Sequence, residues 1–179
     1  MRPHDEEKLI QAAVRGDESA LSELYNRYAD KIYKYVLYRT SDPPTAEDIT
    51  ADVFLRAIES LEQYDDRGLP FVAWLYRIAH ARVVDHWRKA HRRPVLHLDD
   101  PLIRDYLQLE FEPGVDVLEH QALIEALRQI TDEQQQVIIL KFMQGLDNEE
   151  IASIMDKTTG AIKALQHRGL EALARILGE

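Results

Sequence analysis

The chain has 179 residues, 45% of them hydrophobic and 30% charged, with a formal net charge of −10, which allows one or two domains of ordinary soluble composition. There is no cysteine, so a disulfide framework, a thiolate nucleophile and a cysteine-based zinc site are excluded. No stretch is apolar for the roughly 18 residues of a membrane span, and the N-terminal MRPHDEEK is too charged for a signal peptide. No membrane insertion and a cytoplasmic location are therefore expected. The acidic balance also speaks against a nucleic-acid partner, because phosphate contacts need a positive surface. That objection holds only if the charge is evenly spread.

Taken in order, the chain reads as helical almost throughout. Leu9, Ile10, Ala13 and Val14 form a short apolar stripe ending at Gly16. Asp17 caps a longer helix carrying Leu21, Leu24, Tyr25, Tyr28, Ile32, Tyr35 and Val36 at helical spacing. Ser41-Asp42-Pro43-Pro44 breaks it. Thr45 and Asp48 resemble a capping box for a third helix, with Ala46, Ile49, Val53, Phe54, Ala57, Ile58 and Leu61 on its inner side. A loop from Gln63 to Pro70 follows, containing Tyr64, Asp65, Asp66, Arg67 and Gly68.

The fourth helix, about Phe71 to His91, mixes apolar and aromatic residues with Arg77, Arg82, Arg88 and Lys89, while His80 and His86 add polar contacts. From Arg77 to Arg93 the only acid is Asp85, and the net charge is +5. A basic helix interleaved with aromatics can hold phosphates and stack exposed bases. The plainer reading of Trp74 and Trp87 alone is core. Residues 94–116 then change character, with three prolines, one cation and a net charge of −5. They read as an extended, mostly irregular acidic linker. Its 23 residues reach up to roughly 75–80 Å when extended, against about 70 Å for two turns of DNA.

After the linker, Val117 to Ile130 reads as a helix, and Thr131 with Gln134 as a capping box for the next, which carries Val137, Ile138, Leu140, Lys141 and Phe142 and stops at Gly145. Asp147 and Glu150 form another capping box. Ile151, Ala152, Met155 and Ile162 are placed for a shared core, Asp156-Lys157-Thr158 supplies a turn, and Thr158 caps a final helix. This is helix-turn-helix spacing, in which the second helix enters a major groove. The alternative is an ordinary helical hairpin. The turn position favours glycine, and Asp tolerates its positive φ better than most residues. From Lys157 to Arg175 the net charge is +3, so both candidate DNA surfaces are positive within an acidic chain.

No P-loop, dinucleotide fingerprint, Ser-His-Asp order or His-x-x-x-His pair occurs, so neither catalysis, cofactor nor metal is expected. The architecture expected is all-α: two helical domains, residues 1–93 and 117–179, joined by the acidic linker 94–116.

At this point the chain resembles a bacterial group 4, or extracytoplasmic-function, sigma factor over nearly its whole length. Gly16 to Ala20 with Leu24-Tyr25-x-x-Tyr28 resembles the start of the family's sigma-2 domain, and Glu47 to Ala57 resembles its polymerase-docking helix. Phe71-x-x-Trp74-Leu75-x-x-Ile78-Ala79 with Asp85 resembles the helix facing the minus-ten promoter element. Ile130-Thr131 through Gly145-Leu146, Glu149 to Ala152 and Ala161-Ile162-Lys163 resemble the sigma-4 domain. Departures are Ala51, where the family often has Gln, Ala81, often Asn, Asp156 for the turn Gly, and Leu165 and Leu170, where many members have Arg.

The resemblance implies a non-enzymatic protein that binds core RNA polymerase, through its β′ clamp and β flap, and recognises and opens promoter DNA. Glu47, Asp48, Asp52, Val53 and Phe54 are the docking candidates. Tyr64, Asp65, Arg67, Trp74, Arg77, His80, Arg82, His86, Arg88 and Lys89 are the minus-ten candidates, with a flipped base expected at the loop from Tyr64 to Gly68. Thr158, Thr159, Lys163, His167 and Arg168 are the minus-thirty-five candidates, Lys163 for a guanine edge and Arg168 for phosphate. An anti-sigma factor is an expected partner, and no appended domain after Leu177 is expected. A regulator that binds DNA alone and a helical protein-binding adaptor remain the alternatives.

Overall fold

The structure, a computed structural model, describes residues 3–65, 69–90 and 117–178. All regular elements among these residues are helical: α1 (Pro3–Val14), α2 (Glu18–Thr40), α3 (Pro43–Ser60), a 3-10 turn (Leu61–Gln63), α4 (Phe71–Ala90), α5 (Val117–Gln129), α6 (Asp132–Ile138), a π turn (Ile139–Met143), α7 (Asn148–Met155) and α8 (Thr159–Leu177). The expected linker at 94–116 and the loop residue Arg67 lie outside the described residues.

The helix boundaries follow from local chemistry. The carboxylate of Asp17 accepts from the Ser19 and Ala20 N–H groups at 2.9 and 3.1 Å, satisfying donors that the first turn leaves open. At the start of α3 the expected capping box of Thr45 and Asp48 gives way to a different cap. Asp42 accepts from the Thr45 N–H at 3.0 Å, and Pro43 and Pro44 open the helix. Proline fits there because the first turn has no use for its missing N–H. Both C-terminal capping boxes form as expected, Thr131 with Gln134 and Asp147 with Glu150.

Helices α1 to α4 pack around Ile32, Tyr35, Val36, Val53, Leu75 and Val83, all fully buried. Burying each such side chain stabilises the fold by about 1.5–3 kcal/mol. In the C-terminal group, α6 and α8 approach closely at Gly169, where an added Cβ would stand 3.2 Å from Cγ1 of Ile138. The chain turns from α7 to α8 through Asp156 at φ 53° and ψ 49°, the left-handed conformation that the sequence called for. The Lys157 N–H donates to the Ala152 carbonyl at 2.9 Å and closes the turn.

The two helical groups are not apart. Helix α7 packs on α4, and the π turn packs on α2. Val137, Ile139, Leu140, Ile151, Ile154 and Ile162 belong to the same buried cluster as the core of α1 to α4. A smaller cluster of Ala126, Leu127, Ile130, Ile138 and Leu173 holds α5 against α6 and α8.

Candidate nucleic-acid interface

Two surfaces carry the candidate DNA residues. On α8, the side chain of Thr158 accepts from the Ala161 N–H at 3.1 Å, so it caps the helix at the point where a groove-entering helix meets bases. Thr158, Thr159, Lys163, His167 and Arg168 are all exposed. Ile162 and Leu165 lie on the opposite side in the core, so Leu165 is a packing residue and not a lost phosphate contact. Leu170 is exposed. His167 sits 3.4 Å from Glu171, and Arg168 Nε donates to its own helix at the Ala164 carbonyl, 3.3 Å away. Neither contact leaves the helix, so both side chains remain available to a groove.

The second surface is an open groove of about 530 Å³ between α3 and α4, lined by Arg56, Trp74, Arg77, Ile78, Ala81 and Arg82. Three guanidinium groups beside a half-buried indole suit a strand that offers phosphates and an unstacked base. Arg82 is tied within it, 2.5 Å from Asp85 and 3.5 Å from Asp52 across on α3. Arg88 lies 3.9 Å from Asp85 on its own helix, Arg77 and Lys89 are exposed, and His86 is half-buried. Tyr64 serves as a prop: its hydroxyl donates to the Leu69 carbonyl at 3.0 Å, and its ring packs on Phe71 and Trp74, each 5.2 Å away. Asp65 next to it is exposed.

His80 on α4 is half-buried. Burial holds its pKa down to about 4, with the nearby Arg39 charge acting in the same direction and Asp132 and Glu133 opposing it. It is therefore neutral near pH 7, and its Nδ1 is buried without a hydrogen-bond partner among the described residues. Trp87 is half-buried, its ring 4.7 Å from the Arg39 guanidinium, in keeping with the plainer reading of this residue as core.

The docking candidates divide. Glu47 and Asp48 are exposed, and Asp52 is half-buried between Arg82 and Arg56. Val53 and Phe54 are buried in the free chain, facing inward where the helical spacing also places them. The apolar residues that α3 presents are Leu55, 60% exposed, and Ile58, 51% exposed. Tyr25, 49% exposed, stands edge-on to Phe54 at 4.8 Å. Ile58 and Tyr25 were assigned to inner stripes from spacing alone. They lie at the stripe margins, where a few tens of degrees decide burial. Arg56 was missed as a groove residue, and its position four residues after Asp52 was the available signal.

Among the described residues no helix is long and apolar enough to cross a membrane, and no group of His, Cys, Asp or Glu is placed to hold a metal. The fold and these two basic surfaces define a two-part helical protein with a helix-turn-helix, of the kind that meets DNA at two places.

Comparison with known proteins narrows that class. The sequence profile of Sigma-70 region 2 matches residues 24–93, and that of Sigma-70, region 4 matches residues 120–173. The chain is 38% identical over 173 residues to the ECF RNA polymerase sigma factor BldN of Streptomyces coelicolor, covering 95% of this chain and 65% of BldN. It is 31% identical over 181 residues to the ECF RNA polymerase sigma factor SigW of Bacillus subtilis, covering 95% of both. In fold it is similar to CnrH, solved with the cytosolic domain of CnrY, at a TM-score of 0.73 and 23% identity over 95% of both chains. It is also similar to the sigma factor RpoE of Bartonella quintana, solved with the anti-sigma factor NepR, at a TM-score of 0.68 and 20% identity over 88% of this chain and 96% of that one. The chain belongs to the ECF sigma factors of the sigma-70 family, and its function is promoter-specific transcription initiation with RNA polymerase.

Proposed function

We propose that the chain is a cytoplasmic, non-catalytic group 4 sigma factor whose residues 1–93 dock on core polymerase and open the minus-ten element, while residues 117–179 read the minus-thirty-five element across the linker 94–116. The observation that carries this reading is the solvent-facing row of Thr158, Thr159, Lys163, His167 and Arg168 on α8. It is capped by Thr158 and backed by buried Ile162 and Leu165. A helix held that way offers base-contacting groups with no rearrangement of its own.

In the α3–α4 groove, Arg77 and Arg56 would hold phosphates of the separated strand, with Arg82 joining them once it leaves Asp52 and Asp85. Trp74 offers a stacking face. Docking on the β′ clamp would use the carboxylates of Glu47, Asp48 and Asp52 beside Leu55 and Ile58, which replace Val53 and Phe54 in this role. The sigma-4 half would meet the β flap. The same apolar and acidic face of α3 would also serve an anti-sigma factor, the kind of partner with which RpoE of Bartonella quintana was solved.

The test is reconstitution with core polymerase and transcription from a cognate promoter. Asp48→Lys with Leu55→Asp should reduce polymerase capture at least about tenfold, the loss of roughly 1.4 kcal/mol or more expected when charge and apolar contacts are both reversed. Unchanged capture removes the docking role. Tight promoter binding by the free protein, with no gain from polymerase, would replace this reading with a regulator that binds DNA alone.

A further inference from the structure

We propose that the ion pair of Lys157 with Glu133 aims α8, fixing the end of the helix that meets bases and so setting how sharply the upstream element is read. The inference rests on the reading above that α8 takes up the minus-thirty-five element. It adds two positioning residues to that site, neither of them in the solvent-facing row of α8.

The turn into α8 closes around the left-handed Asp156 with two backbone bonds. The Lys157 N–H donates to the Ala152 carbonyl at 2.9 Å, and the Asp156 N–H to the Ser153 carbonyl at 3.4 Å. In this kind of helix ending, the residue after the left-handed one commonly adds an apolar contact back onto the helix. Here that residue is Lys157. Its ammonium reaches Glu133 Oε1 at 2.8 Å, so the turn is tied by charge to α6. Glu133 lies in the first turn of α6, where the helix dipole favours a carboxylate.

Two contacts with α6 then set the direction of α8. At Gly169 the helices nearly touch, an added Cβ standing 3.2 Å from Ile138 Cγ1 and 3.4 Å from Gln134 Cβ. The other contact is the ion pair, one residue before the capping Thr158. Buried Ile162 and Leu165 decide which face of α8 is inward, but apolar burial is non-directional and leaves the tilt to a contact with direction. Thr159 lies about 15 Å along the helix from Gly169, so a tilt of about 5° about that point moves Thr159 by about 1.3 Å and Lys163 by about 0.8 Å. An ordinary hydrogen bond stretched by about 1 Å no longer counts as one. The side chains of Lys157 and Glu133 are 30% and 55% exposed. A pair that open to water adds little to stability, so its loss should show in reading and not in folding.

Reconstituted polymerase titrated over duplex promoters randomised in the upstream element measures discrimination base by base. Glu133→Gln keeps shape and removes an acid, which on charge alone should strengthen binding to every duplex. The anchor requires a loss instead. Discrimination should fall about five- to tenfold at the positions met by the Thr158 end, and at most about threefold where Lys163 reads. Lys157→Gln should repeat that pattern, and Lys157→Arg, which keeps the charge, should retain wild-type discrimination. Thermal midpoints should shift by no more than about 4 °C. The absence of cysteine allows clean labelling of the free protein. Spin labels at Gln129→Cys on α5 and Gly160→Cys on α8, both exposed, read the tilt without DNA, and an added Cβ at Gly160 meets nothing nearer than 3.9 Å. Losing the pair should shift or widen that distance by on the order of 1 Å. Helix content by circular dichroism accompanies each variant, and if Glu133→Gln loses helix, Lys157→Gln decides. Unchanged distances, an even change across all base positions, or stronger binding by Glu133→Gln overturns the anchor. A wild-type complex with no discrimination upstream would instead sink the reading of α8, and the distance measurement alone then judges the anchor.

Discussion

The helix-turn-helix and the basic helix α4 are both proposed to meet DNA, and they are held in opposite ways. On α8 one face is apolar and buried, through Ile162, Leu165 and Leu173, and the polar residues opposite face solvent. On α4 the contacts surround the helix: Phe71, Leu75, Tyr76, Ala79 and Val83 are buried, α7 covers one side, and Arg82 pairs with two carboxylates. A helix packed on one side presents its cations freely. A helix packed on several sides uses some of them to hold itself in place, and those become available only when a neighbour moves.

The largest effect should come from removing the residue that both halves share. Ile151, fully buried on α7 within the common cluster, should lose about 2–5 kcal/mol of stability as Ile151→Ala, and a single cooperative melting transition should shift as a whole. Separate transitions would show that the halves are independent. Next, Lys163→Ala should weaken promoter complexes by about 1–3 kcal/mol at one base position. Arg77→Ala should weaken them evenly across sequences and flatten the salt dependence by about one unit of slope. Polymerase footprinting and titration over a promoter library separate the two patterns.

A smaller effect tests the enclosed side of α4. His80 titrates near 6.5 when unfolded and near 4 when folded, so its contribution is whole above pH 6.5 and is lost as pH falls toward 4. Lowering pH from 7 to 5 should destabilise the wild type by on the order of 1 kcal/mol more than His80→Gln, after allowance for its partial solvent access. The pH dependence of thermal midpoints for the two proteins reads this directly, and equal dependence would contradict it. Smallest is Asp156→Gly. With φ at +53°, glycine should relieve strain of up to about 1 kcal/mol, measurable by denaturant titration with no loss of promoter selectivity.

The helix-turn-helix was legible in the sequence because its determinants are local. Asp147, Glu150, Asp156 and Thr158 each act within four residues, and each adopts the expected role. The cap of α3 was misread because Asp42 lay inside what looked like a breaker, and proline is compatible with a helix start as well as with a break. Spacing places Val53 and Phe54 in the core, where they lie, while the resemblance that offers them for docking identifies a helix but not which of its faces is outward. The Arg39–Asp132 pair, 93 residues apart, left no periodic or local trace. Arg39 looked like one more surface cation near the end of a helix.

The π turn before the helix-turn-helix sets more than its own five residues. There the Gln144 N–H reaches back to the Ile139 carbonyl, and the Leu146 N–H to the Leu140 carbonyl, so one additional residue is looped out before Asp147 starts α7. An additional residue wound in ordinary α geometry would turn everything after it by roughly 100°, and the wider π turn takes that residue up locally instead. The solvent-facing position of Lys163 thus depends in part on a local overstep in the winding of the chain some twenty residues upstream.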